Sequence, residues 1–200
     1  MKNVSQLDIG GNQLTGAGGI PTQIGELTKL RRAEAGPGGF LSGNKLSAAT
    51  IPSEFGKLTR MTSGGHFLNG SKIGGSVPTQ LGSLNLTSMF RLDGNALTSA
   101  LPTQLGRLVE LKRNFTVNDN KLSSALPTQL GRLKKLTSSF RLESNKFCDD
   151  IPTEVRRSGD CRAVWCGAVW CGVVWCGVVS CCVAWSRFAS CCVVSCRGVA

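Results

Sequence analysis

Apolar residues recur in a fixed order between about residue 73 and residue 155. Phe90 and Leu92 alternate with polar residues, Asn95 follows, and Leu97 comes next. The same order returns twice, as Phe115, Val117, Asn120 and Leu122 and then as Phe140, Leu142, Asn145 and Phe147. Alternation with period two predicts a short strand with one buried face.

An asparagine follows each of these strands, at the point where the chain must turn. Its amide can bond backbone groups that would otherwise be unpaired in the interior. We therefore expect a structural asparagine ladder, formed by Asn12, Asn44, Asn95, Asn120 and Asn145.

A second phrase alternates with the first. "IPTQIG" at Ile20 returns as "IPSEFG", "VPTQLG", "LPTQLG" (twice) and "IPTEV", and the prolines at 52, 78, 102, 127 and 152 are 26, 24, 25 and 25 residues apart. Proline and threonine predict the start of a short helical segment with a hydroxyl cap, and glycine predicts its end. Such repeats bury their apolar faces only by stacking. Residues 1–155 are thus predicted to form an α/β solenoid of about six repeats. Its short parallel strands would lie on the concave side and its 3-10 or helical turns on the convex side.

These phrases resemble plant-type leucine-rich repeats, whose units run close to "LxxLxxLxLxxNxLxGxIPxxLGxL". The matching segments are "PTQLGRL" at Pro102 and Pro127 and "FCDDIPTEV" from Phe147, and in detail they are similar to repeat proteins of algae and other protists. The resemblance implies a right-handed horseshoe arc that recognises partners through exposed side chains of its concave face.

The first two repeats depart from this pattern. Leu84 and Asn95 are 11 positions apart, as the pattern requires, whereas Leu58 to Ser71 has two extra residues and replaces asparagine with serine. Leu27 to Asn44 has six extra residues, so we expect the loop at 36–39 to bulge outward. Leu108 to Asn120 and Leu133 to Asn145 each have one extra.

If the concave sheet binds a ligand, the residues beside the buried strand positions should contact it. These are Arg91, Asp93, Thr116, Asn118, Asp119, Arg141, Glu143 and Ser144. Equally, this row could be ordinary solvated strand surface. The ligand would be a protein or a glycan, and an acidic partner would suit the 23 basic and 12 acidic residues of the chain. The basic pairs are spread along the chain without interleaved aromatics, which favours solvated faces and gives no reason to expect nucleic acid.

No catalytic constellation is evident. The single histidine, His66, has no cysteine nucleophile or carboxylate pair at readable spacing, and no phosphate-binding glycine loop occurs. We expect no enzyme activity, no cofactor and no metal site.

Two modifications would accompany secretion. Asn3, Asn69, Asn85 and Asn114 begin N-x-Ser/Thr glycosylation sequons, which are weak evidence for a secretory route. Cys148 and Cys161 could form a disulfide that braces the last repeat, and the resemblance also implies a later partner for the "FC" cysteine.

Residues 163–200 form a low-complexity tail rich in Cys, Val, Trp and Gly, joined to the repeats by a linker or cap at 156–162. The 24 residues from 163 to 186 carry no charge, which predicts a membrane-spanning helix. Alternatively, the tail is disordered and artefactual. The DNA unit GGTGT repeated in tandem encodes Gly-Val-Val-Trp-Cys, the motif seen here, so the tail could be low-complexity DNA read out of frame. The C-x4-C spacing of Cys161, Cys166 and the next three cysteines does not favour zinc.

The sequence therefore predicts a non-catalytic recognition module in a membrane or outside the cell. The N-terminus shows no signal peptide and opens in mid-repeat, so we expect the natural chain to start upstream. An intracellular structural adaptor in the cytoplasm, or a fragment of a larger receptor or enzyme, is the alternative.

Overall fold

The computed structural model describes residues 3–31, 40–47, 49–62, 68–149, 151–156 and 164–165. Four predicted features therefore lie outside the described residues: the bulge at 36–39, His66, Cys161 and all of the tail beyond Val164–Trp165.

Five 3-10 helices and one short α-helix recur at the proline phrase. They are η1 (Thr22–Glu26), η2 (Ser53–Lys57), η3 (Thr79–Ser83), η4 (Thr103–Arg107), η5 (Thr128–Arg132) and α1 (Thr153–Arg156). Each 3-10 helix follows a proline whose φ lies between −59° and −66°. Proline suits this place because the first helical N–H groups have no intrahelical partner.

The predicted hydroxyl cap is wrong. None of these five helices has a side-chain cap hydrogen bond. The threonine, or Ser53 in η2, is the first helical residue and not the residue before the helix, so its hydroxyl cannot take the capping position. Thr79 Oγ1 instead donates to Oε1 of the adjacent Gln80 at 3.1 Å.

The prediction that the glycine of the phrase ends the helical segment is also wrong, because this glycine lies within each 3-10 helix. A Cβ built on Gly25 would lie 2.7 Å from the carbonyl oxygen of Glu54 in the next repeat. At Gly106 it would lie closer still to the carbonyl oxygen of Gln129. Glycine is thus required for adjacent helices to touch through their backbones, and it does not mark the helix end.

The strands are parallel, as predicted. β1 (Phe90–Arg91), β2 (Arg113–Thr116), β4 (Ser138–Arg141) and β6 (Val164–Trp165) form one sheet in that order, and β3 (Ser123–Ser124) pairs with β5 (Lys146–Phe147) in a second. In the first sheet Phe90 is in register with Phe115, and Phe115 with Phe140. These three repeats therefore place the same position on the same line across the sheet.

The core lies between the sheets and the helices and is built from the repeating apolar positions. Phe90 and Phe115 stack with ring centroids 5.1 Å apart, and Phe115 and Phe140 follow at 5.2 Å. Around these rings, buried leucines from successive repeats form one continuous hydrophobic cluster. The stacked repeats therefore share one core, as a solenoid requires.

The ladder asparagines tie neighbouring repeats together. Asn120 Nδ2 donates to the carbonyl oxygens of Leu92 (2.9 Å), Val117 (3.0 Å) and Asn118 (3.1 Å). Its Oδ1 accepts a hydrogen bond from the backbone N–H of Leu97 at 3.0 Å. One side chain thus satisfies four backbone groups, two of them in the preceding repeat. Similar bonds are made by Asn44, Asn95 and Asn145, while Asn12 bonds within its own repeat.

The residue before each ladder position has a left-handed backbone. Glycine holds this place in the early repeats, at Gly11, Gly43, Gly70 and Gly94, with φ between 63° and 68°. Asp119 and Ser144 replace it with φ of 53° and 54°. Because residues other than glycine disfavour this left-handed conformation, the backbone at Asp119 and Ser144 is somewhat strained.

The prediction of a helix beginning at residue 163 is wrong at its first residues. Val164–Trp165 is a strand that pairs with Phe140 and Arg141 of β4, because its backbone extends the existing sheet. In the described part of the chain, no helix is both long and apolar enough to cross a bilayer.

Candidate ligand-binding surface

The eight residues predicted to bind a ligand are here called the sheet row. Arg91, Thr116 and Arg141 occupy equivalent strand positions in three adjacent strands, since Arg91 is in register with Thr116 and Thr116 with Arg141. Two positions after these residues in the sequence lie Asp93, Asn118 and Glu143, respectively. The structure therefore brings these six residues together as two parallel lines.

A hydrogen-bonded network holds the first part of the sheet row. Arg91 Nε lies 3.2 Å from Asp93 Oδ1, and its Nη2 lies 3.3 Å from Asp93 Oδ2. Thr116 Oγ1 donates to Asp93 Oδ1 at 2.7 Å, across the strand boundary. Asp93 therefore neutralises Arg91 and fixes Thr116, which leaves this end of the row internally satisfied.

Arg141 differs from Arg91, although both hold the same place in their repeats. Its side chain is exposed. Among the residues that the structure describes, no carboxylate lies within ion-pair distance of Arg141. An exposed guanidinium keeps its five N–H donors available for an anionic partner.

Two buried oxygens in the second line, and one at the equivalent position of an earlier repeat, lack donors. Asn118 Oδ1 and Glu143 Oε2 are buried and accept no hydrogen bond from the described residues. Asn69 Oδ1, at the equivalent position of an earlier repeat, shares this property. A buried acceptor without a donor costs roughly 1–3 kcal/mol, and such groups in native structures call for an explanation.

Four residues of the sheet row are not the outward strand side chains that the pattern predicted. Thr116 is 5% exposed and Asn118 is 9% exposed, because each is enclosed by hydrogen-bonded neighbours from its own or the adjacent repeat. Asp119 and Ser144 are exposed, but they lie at the left-handed turn after the strand. The accessible part of the row is therefore centred on Arg141.

Asn69 is a residue of this surface that the sequence pattern missed. It precedes Ser71 by two positions, as Asn118 precedes Asn120. The two extra residues upstream obscured the alignment. Counting backward from the ladder position would have found it.

The four sequons differ in accessibility. Asn3 and Asn85 are exposed, whereas Asn69 and Asn114 are half-buried. Asn85 Nδ2 donates to the carbonyl oxygen of Thr59 at 2.8 Å. Cys148 is half-buried, and since Cys161 lies outside the described residues, the disulfide stays a prediction.

The described residues contain no group of three or more His, Cys, Asp or Glu side chains able to hold a metal ion. The surface chemistry is that of hydrogen bonding and charge pairing, with amide and carboxylate acceptors beside one available guanidinium.

No protein-family model matches the chain. No curated protein matches it either. The structure is nevertheless similar to solved structures, among them a leucine-rich-repeat receptor ectodomain. The structure of PEPR1 with AtPEP1 matches with a TM-score of 0.56 and 23% identity, over 73% of this chain and 22% of that chain.

Two further neighbours are from Arabidopsis. The leucine-rich-repeat ectodomain of the plant membrane receptor kinase GASSHO1/SCHENGEN3 from Arabidopsis thaliana matches with a TM-score of 0.52 and 25% identity, over 77% of this chain and 23% of that chain. The receptor kinase HAESA, solved with the peptide hormone IDA and the co-receptor SERK1, matches with a TM-score of 0.52 and 24% identity, over 78% and 28%.

These likenesses and the repeat geometry define the fold as a leucine-rich-repeat solenoid. The chain spans only 22% to 28% of the lengths of these three neighbours.

Proposed function

We propose that the chain is a non-catalytic recognition module that binds a peptide or protein ligand along the sheet row. The observation that carries this proposal is the contrast between the two ends of the row. Arg91 is neutralised by Asp93, whereas Arg141 is exposed beside the unpaired acceptors of Asn118 and Glu143.

The unpaired groups indicate the chemistry of the ligand. A peptide offers N–H donors along its backbone, and these would pair with Asn118 Oδ1 and Glu143 Oε2 if binding exposed these buried oxygens. An acidic group of the same ligand would pair with Arg141, and charge-assisted hydrogen bonds of this type are the stronger ones. The neighbour GASSHO1/SCHENGEN3, solved in complex with CASPARIAN STRIP INTEGRITY FACTOR 2, is a precedent for ligand binding by this fold.

Selection from a synthetic library of linear peptides tests the proposal. The immobilised full chain should enrich peptides that carry acidic residues, and fluorescence anisotropy would then measure the dissociation constant of a selected peptide. Arg141→Ala should weaken binding by about tenfold, equivalent to roughly 1.4 kcal/mol. Arg91→Ala should weaken it less, because that guanidinium is already paired.

The matched control is Lys121→Ala, which removes one positive charge from an exposed residue outside the sheet row. It should leave the affinity within about twofold of wild type. Wild-type affinity in both arginine variants would overturn the proposal, as would a library that yields no binder beyond that of an unrelated protein.

We also propose that the module acts outside the cell, where the exposed sequons would be glycosylated. Asn85→Gln should remove one glycosidase-sensitive mass increment from the protein secreted by eukaryotic cells. Asn69→Gln should remove none, because Asn69 is half-buried whereas Asn85 is exposed. A reduced Cys148 together with an unglycosylated native protein would instead favour an intracellular adaptor.

A further inference from the structure

Positive charge is concentrated on one flank of the last complete repeats. Six exposed residues lie between the last position of η4 or η5 and the first position of the strand that follows it, and they form the basic flank: Arg107, Lys112, Arg113, Arg132, Lys134 and Lys135. The one acidic residue among them, Glu110, is already paired with Lys135 at 2.6 Å. The flank therefore carries five net positive charges, six minus one, over two neighbouring repeats.

Backbone hydrogen bonds hold the two repeats together at Lys112 and Arg113. The N–H of Thr137 donates to the carbonyl oxygen of Lys112 at 2.9 Å, and Arg113 is in register with Ser138. Where these bonds form, the spacing between the two repeats is that of paired strands, about 4.7–4.9 Å. Arg107 and Arg132 hold equivalent positions in adjacent helices, and Lys135 pairs with Glu110 of the preceding repeat, so the basic residues of the two repeats lie on one flank.

A groove opens at the edge of the basic flank, between η5 and α1. Its volume is about 420 Å³, and it is lined by Thr128, Gln129, Gly131, Arg132, Lys134 and Glu154. Two cations thus line the groove beside hydroxyl and amide groups. Glu154, on the α1 side, would repel an anion and lowers the expected affinity.

The surroundings of the basic flank favour a sugar polymer over other polyanions. Single-stranded nucleic acid binds on exposed aromatic rings, but the neighbouring Phe115 and Phe140 are buried. Membrane adsorption needs a broad apolar face, whereas Val109, 42% exposed, is the only large apolar residue exposed on this flank among the described residues. Hydroxyl and amide groups of Thr128 and Gln129 suit the hydroxyl groups of a glycan.

We propose that the basic flank is a second binding surface, independent of the sheet row, that holds a linear acidic polysaccharide through its carboxylate or sulfate groups. One pyranose unit is similar in length to the spacing between repeats. A stretched polyuronate could therefore present an anionic group to each successive repeat.

Binding of the full chain to alginate and to heparin, with neutral dextran as the blank, tests this proposal. The triple variant Arg132→Ser, Lys134→Ser, Lys135→Ser should bind at least about tenfold more weakly at physiological salt. Wild-type binding should also weaken steeply as salt is added. Glu154→Gln should strengthen binding, because it removes the anion from the groove.

The matched control is Lys45→Ser, Lys72→Ser, Lys121→Ser, which removes the same charge from exposed residues at the turn after the strands. It should stay within about twofold of wild type. Equal losses in both triple variants would overturn the proposal, since binding would then report net charge alone. Equal or tighter binding to single-stranded DNA or to anionic vesicles would also overturn it.

Thermal unfolding of each variant shows whether it is folded. The peptide selected on the sheet row should bind the basic-flank variant with unchanged affinity. Failure of one surface therefore leaves the test of the other intact.

Discussion

The turns at Ser71 and at Asn120 occupy equivalent places in the repeat but are held differently. Asn120 reaches three carbonyl oxygens and one N–H with a single amide. Ser71 has one hydroxyl proton, directed to the carbonyl oxygen of Leu41 at 2.8 Å. The N–H of Leu46, which faces this turn from the preceding repeat, bonds to the backbone oxygen of Ser71 at 2.8 Å.

The contrast shows that the ladder tolerates a shorter side chain where the backbone can take its place. Ser71 is fully buried, so a short polar group is retained in the interior. The turn at Ser71 thus depends more on backbone bonds, and the turn at Asn120 depends more on side-chain bonds. The same two regions differ in helix stacking, which is closer at Gly106 than at Gly25.

The largest expected effect is at that stacking contact. Gly106→Ala should lower the free energy of unfolding by about 3 kcal/mol, because the new methyl would overlap a rigid backbone carbonyl. Gly25→Ala should cost less, since its Cβ would meet the neighbouring oxygen at 2.7 Å. Denaturant unfolding of both variants measures the difference. Gly74→Ala, with nothing within 4 Å of its Cβ, is the control. Equal losses in all three variants would contradict the steric explanation.

Removal of a ladder side chain should have the next largest effect. Asn120→Ala leaves four backbone groups without their partner and should cost about 2 kcal/mol or more. Ser71→Ala removes one donor and should cost about 1 kcal/mol. The loss in free energy of unfolding for Asn120→Ser should lie between these two values. The same denaturant measurements apply, and a loss at Ser71 as large as that at Asn120 would refute the difference drawn between the two turns.

The smallest effect should be at the left-handed position before the ladder. Ser144→Gly should raise the free energy of unfolding by about 0.5 kcal/mol, since relief of the left-handed strain exceeds the entropic cost of glycine. Gly94→Ser should lower it by about 1 kcal/mol. Both changes are measurable by the shift in melting temperature. A lower melting temperature for Ser144→Gly would show that the side-chain contacts of Ser144 outweigh the backbone strain.

Periodicity alone predicted the strand at Phe115, the turn asparagine at Asn120 and the helix after Pro127, because each reflects a local physical requirement. It could not predict contacts between repeats. The role of Gly106 depends on a carbonyl oxygen one repeat away, and the burial of Asn118 depends on neighbours in adjacent repeats. The left-handed turn at Asp119 could have been inferred, since Gly70 and Gly94 hold the same place.

The sequence also could not show which residues of the sheet row are available to a ligand. Arg91 and Arg141 are equivalent by pattern, and only the structure shows that Asp93 neutralises the first while the second has no described carboxylate partner. The charges of the basic flank were visible as pairs, but their proximity follows from stacking alone.

The glycine contact has a mechanical consequence. Backbone atoms of neighbouring 3-10 helices already touch at this point, so the helix side cannot be compressed further. Opening that side separates van der Waals contacts worth about 0.1–0.2 kcal/mol per atom pair, whereas opening the sheet side breaks hydrogen bonds. We therefore expect the solenoid to resist bending that compresses the helix side and to yield more easily to bending that opens it.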